Sequence, residues 1–128
     1  MFGWLKKKSP QPKGPDLSWI DSREKADELF LKGELEKLHL MPLELGGDDN
    51  PLNVLYVTVG LAGIKSGFDN NVVVPLAQNG KITKYKAVPE YQGNSVIPIS
   101  IKITASDPGQ VTLTLNIWGE ALAREKDA

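Results

Sequence analysis

The stretch from Gly93 to Trp118 constrains the fold more than any other part of the chain. Ile97, Ile99, Ile101 and Ile103 alternate with Pro98, Ser100, Lys102 and Thr104. After a Ser106-Asp107-Pro108-Gly109 turn, Val111, Leu113, Leu115 and Ile117 alternate with Thr112, Thr114 and Asn116. A period of two with one apolar face predicts two antiparallel strands lying on a core. An upstream run, Lys81 to Val88, reads as a third strand of the same meander, joined to the next by a loop from Pro89 to Asn94.

Ahead of the meander the spacing predicts two helices and two more strands. Asp21 or Ser22, with Glu24 close behind, marks the start of a helix that Gly33 stops after Lys32. Just upstream, Trp19 and Ile20 are expected to cover the core edge. Leu35 to Leu45 reads as a strand with a phase error at Met41-Pro42, where a bulge or an edge position is expected. Asn53 to Val59 is a nearly continuous apolar run suited to a central strand. From Leu61 to about Asn79 a stripe of Leu61, Ile64, Phe68, Val72 and Leu76 predicts the main helix, which Pro75 should kink or divide.

The expected fold is therefore α+β, in the order α-β-β-α-β-β-β. A single antiparallel sheet of about five strands would carry the main helix packed on one face. The expected boundaries are a basic, Pro-rich leader over 1–17, one domain over 18–119, and a frayed C-terminal tail over 120–128. The strand order and the oligomeric state stay open at this point.

Charge separates the leader from the rest. Residues 1–15 hold four lysines and no acid, while the remainder is acidic, the whole chain having a net charge of -1. Such a balance gives no field for nucleic acid. Phe2, Trp4 and Leu5 beside Lys6, Lys7 and Lys8 are candidates for weak contact with an anionic membrane surface. Their order, apolar before basic, is the reverse of a secretory signal, so a cytoplasmic setting is expected.

Motifs for catalysis fail on spacing. The chain has no cysteine and one histidine, His39, which excludes thiol chemistry and any cysteine-based metal site. Gly60 to Gly67 separates its glycine from Lys65-Ser66 and misses the phosphate-loop spacing. Asp48-Asp49-Asn50 and Asp69-Asn70-Asn71 lack the alternate carboxylates of a calcium loop and read as turns or caps. Glu36 and Glu44 are assigned to the solvated side of their strand. No metal and no cofactor is expected.

What remains is recognition. Glu90, Tyr91 and Gln92 fall in the expected hairpin loop, where exposed tyrosine is a favoured anchor. Trp118 shares a parity with Thr112, Thr114 and Asn116, a polar face on which a large aromatic needs a cover or a partner. The expected function is a small non-catalytic interaction or ligand-binding protein of the inhibitor or immunity type, with another protein as partner. The alternative is an accessory protein recruited to membranes by its leader; a small enzyme using carboxylate and tyrosine chemistry ranks below both.

Overall fold

A computed structural model describes residues 16–127, and side chains as far as Arg124. The leader candidates Phe2, Trp4, Leu5, Lys6, Lys7 and Lys8 lie outside the described residues. The chain is mixed α+β, in the order α1 (Arg23–Leu31), β1 (Leu35–His39), β2 (Val54–Thr58), α2 (Leu61–Phe68), a π-helical segment (Asp69–Val73), α3 (Val74–Gln78), β3 (Lys84–Glu90), β4 (Ser100–Ser106), β5 (Gln110–Asn116) and α4 (Glu120–Asp127).

The strands form two antiparallel sheets rather than one. β1 pairs with β2, and β3-β4-β5 form a separate three-stranded meander. β2 is therefore not central. Its apolar residues are instead covered by helix and core: Tyr56 is buried, with its ring 5.5 Å from that of Phe30 on α1. The chain leaves β2 through Gly60, whose φ of 106° suits a residue without a β-carbon, and enters α2 directly. Gly60 has no side chain to cap that helix. Glu36 of β1 does so from across the sheet, its Oε2 accepting from Gly60 N at 3.0 Å and Ala62 N at 2.8 Å.

The strand expected over Leu35–Leu45 ends at His39. Beyond it, Leu43–Leu45 form a single 3-10 turn. Asn53 holds this loop in place: its side chain accepts from Met41 N at 2.7 Å and donates to Met41 O at 3.0 Å and Asp48 O at 2.8 Å. The Asp48 and Asn50 carboxyl and amide oxygens accept from backbone amides two residues on, as turn-formers do.

Pro75 divides the second helix as its chemistry requires. Lacking an N–H, it leaves the carbonyl of Asn71 without its helical donor, and the chain widens ahead of it: Val74 N donates to Asp69 O, five residues back. The widening keeps residues four apart on one face. The buried row is Lys65, Asp69 and Val73, whereas Ile64 of the expected stripe is 54% exposed. The helix is thus turned by one residue from the phase its hydrophobicity suggests.

The main core gathers Ile97, Ile99, Ile101 and Ile103 with Leu38, Val57, Ile20, Leu115 and Trp118. Trp118 is 1% exposed and donates its indole N–H to Ile97 O at 2.9 Å. The parity argument fails there because Ile117 N and Trp118 N both donate to Ile99 O, at 2.7 and 3.4 Å. Two residues opposite one make a bulge, and the following side chain changes face. At the two ends of the described region Leu17 is buried, and α4 places Ala121 fully inside.

Trp118→Phe should lower stability by about 1–3 kcal/mol, because Ile97 O loses a buried donor. Trp19→Phe, at a half-exposed site, should stay within about 0.5 kcal/mol. Urea unfolding of the two variants checks both.

Candidate functional site

β3 runs two residues further than expected, so Glu90 sits in the strand and not at a loop tip. Its Oε1 accepts from Ser100 Oγ and from Arg124 of α4, each at 3.2 Å. Gln92 is packed rather than presented: its Oε1 is buried, and a β-carbon at Gly119 would approach that atom to 3.3 Å. With Trp118 in the core, Tyr91 alone of the four candidates offers apolar surface, at 45% exposure.

Two residues that sequence reasoning assigned elsewhere or passed over, Trp19 and Arg23, lie on the segments that adjoin this part of the chain. Segment 17–20 runs beside the chain that follows Tyr91: Ser95 Oγ donates to Leu17 O at 2.9 Å, and Val96 N donates to Ile20 O at 2.8 Å. Ile20 covers the core edge as expected, but Trp19 points outward and is 54% exposed. Arg23, the first residue of α1, lays its guanidinium 4.7 Å from the Tyr56 ring centroid. Partial burial raises the Tyr91 phenol above its ordinary value, and the positive charge of Arg23 opposes that rise. Residues 17–20 form a turn, Ile20 N donating to Leu17 O at 3.2 Å, which buries its two ends and leaves Ser18 and Trp19 outside; nothing local in the sequence links it to residue 91.

A second polar constellation was not foreseen. Lys65 is 3% exposed, and its Nζ donates to Asp69 Oδ2 at 2.6 Å and to Tyr85 Oη at 2.8 Å. Tyr85 in turn donates to Asp69 Oδ1 at 2.8 Å. The three groups close a triangle between α2, the π segment and β3. Burial pushes the Lys65 ammonium below its ordinary value against the pull of Asp69, and burial together with Asp69 pushes the Tyr85 phenol up. The available sequence signal was the Lys65–Asp69 i,i+4 spacing beside an apolar stripe.

A cavity of about 210 Å³ adjoins this triangle, with His39, Glu44, Lys65, Ser66 and Asp69 among its walls. His39 Nε2 lies 2.7 Å from Asp49 Oδ1. Glu36, already accepting from two backbone amides, is committed to the helix start. Both oxygens of Asp69 are bonded within the triangle, so it is arranged to satisfy its members rather than to receive a proton from a substrate. Among the described residues, no group of three or more His, Cys, Asp or Glu could hold a metal ion, and no helix is long and apolar enough to cross a membrane.

Comparison with protein-family models, curated proteins and solved structures finds no match.

Lys65→Met alone should cost about 3–5 kcal/mol, because it strands the Asp69 charge. Replacing Lys65, Asp69 and Tyr85 together by Met, Leu and Phe should recover most of that loss in urea unfolding. The pH dependence has a defined sign. A phenol raised in the folded chain contributes stability that is complete below 10.0 and lost as pH rises. The depressed ammonium acts oppositely, but only up to 10.5, where unfolded lysine also deprotonates. Stability should therefore fall with pH beyond that point, and less steeply in Tyr85→Phe.

Proposed function

We propose that this chain is a non-catalytic protein-binding module that docks through the end carrying Trp19, Arg23 and Tyr91. The observation behind the proposal is the unequal treatment of aromatics. The fold buries Trp118 and Tyr56 almost completely, yet leaves Trp19 and Tyr91 about half exposed, Tyr91 within reach of the Arg23 charge. Trp, Tyr and Arg are the residue types that dominate protein-interface energetics, and rigid aromatic anchors lose little entropy on binding.

The remainder of the surface suggests the partner's character. Around the anchors Asp21 is paired with Lys25 and Asp27 with Arg23, which leaves Glu24 and Glu28 as the further acids of α1, within a chain that is acidic overall beyond residue 15. A protein with a basic patch around an apolar pocket is the matching class, in keeping with an inhibitor or immunity-type role in the cytoplasm. The Lys65–Asp69–Tyr85 triangle is structural in this reading. Recruitment to membranes through Phe2, Trp4, Leu5 and the three following lysines is the second reading; it rests on sequence composition alone.

The test is parallel affinity capture from the source extract with the full chain and with its Trp19→Ala/Tyr91→Ala variant. One stoichiometric protein should be retained by the first and lost by the second, each substitution weakening binding by about 1–3 kcal/mol. Thermal unfolding should be unchanged within about 2 °C, the scale of a neutral surface substitution. Equal capture by both, or none by either, would reject the site.

A further inference from the structure

The two edges of the three-stranded sheet are unequally protected. β3 carries exposed Lys84 and Lys86, together with Pro89, which has no N–H to offer a ladder. β5 reads Gln-Val-Thr-Leu-Thr-Leu-Asn, with no charge, no proline and no glycine. Folded proteins usually blunt an open edge with lysine, proline or a bulge, because its free N–H and C=O groups template a further strand. β3 has such protection along its length. β5 has a bulge only after its last residue.

The register shows which groups are free. Ile117 N donates to Ile99 O, so this pair is hydrogen-bonded. Alternation then places Leu115, Leu113 and Val111 in bonded pairs with Ile101, Ile103 and Ala105. The backbone N–H and C=O of Thr112 and Thr114 consequently point away from β4. Among the described residues, no strand and no loop backbone pairs with that side.

We propose that a second copy of this chain pairs antiparallel with β5 across a two-fold axis at Leu113, making a continuous six-stranded sheet. The strand is complementary to itself in this register. Thr112 falls opposite Thr114 of the second copy on the open face, and Val111 falls opposite Leu115 of the second copy on the apolar face. Threonine pairs and apolar pairs both stabilise a ladder, whereas a shift of one residue sets threonine against leucine. No like charges oppose the pairing, and β5 gives a foreign strand no charge to recognise.

The experiment is sedimentation velocity of the full chain from micromolar to near-millimolar concentration. A concentration-dependent monomer–dimer equilibrium is expected. Thr112→Lys/Thr114→Lys should weaken it about tenfold or more by setting like charges opposite one another. Lys84→Thr/Lys86→Thr on the other edge should leave it unchanged. Should the lysine variant fail to fold, amide hydrogen exchange of the unaltered chain gives an independent reading: protection of Thr112 and Thr114 should rise with concentration. A monomer at every concentration, or a dimer indifferent to the lysines, would overturn the proposal. Concentration-independent protection of those amides in a monomer would also overturn it, since residues of the same chain would then hold the edge.

Discussion

A lysine and an aspartate on the buried side of a helix leave that helix few orientations. An unpaired charge in an apolar interior costs several kcal/mol, so Lys65 and Asp69 must meet each other and find further partners. Tyr85 supplies the remaining hydrogen bonds, and it stands on β3, a strand of the other sheet. One triangle thus sets the phase of α2, fastens it to the meander, and leaves Ile64 outside. The π-helical widening before Pro75 carries the same face onward to Val73, which packs with Ile82 and Ala105 in a second small cluster. Backbone chemistry at one proline and electrostatics at one lysine lead to the same geometry.

The parts of the fold legible in the sequence are those governed by local periodicity. The isoleucines at 97, 99, 101 and 103 are all fully buried, as their alternation requires. Ser22 caps α1, its hydroxyl accepting from Lys25 N at 3.2 Å. Pro75 interrupts its helix where its missing N–H predicts. Failures arose wherever distant pairing overrode a local pattern. A bulge at residues 117 and 118 turned Trp118 inward, and no local feature announces which residue of a strand is doubled. The leucines at 43 and 45 belong to a turn held by Asn53, ten and eight residues away in sequence, so their alternation was accidental. The division into two sheets depends on what β2 meets beyond β1, which periodicity does not encode.

The candidate site was half legible for the same reason. Tyr91 could be singled out because loop tyrosines are exposed by default. Trp19 could not, because segment 17–20 acquires its orientation only through bonds to residues 95 and 96. Glu90 and Gln92, close in sequence to Tyr91, are used internally, one by Arg124 and Ser100, the other against the Gly119 turn. The surface that emerges combines exposed aromatics at Trp19 and Tyr91 with a meander whose two edges differ in charge. Both features are assembled by the fold from residues that look ordinary in isolation.

Because the phase of α2 governs how the two sheets meet, the most direct measurement is nitrogen-15 NMR of the lysine side chains. With Lys65 turned inward, its ammonium protons should exchange slowly with water, and the group should titrate below its ordinary value of 10.5. Lys86 and Lys102, exposed on the open sheet face, should show fast exchange. A Lys65 ammonium that exchanges as fast as those two and titrates at its ordinary value would mean the helix presents a different face, and the packing described here would be wrong.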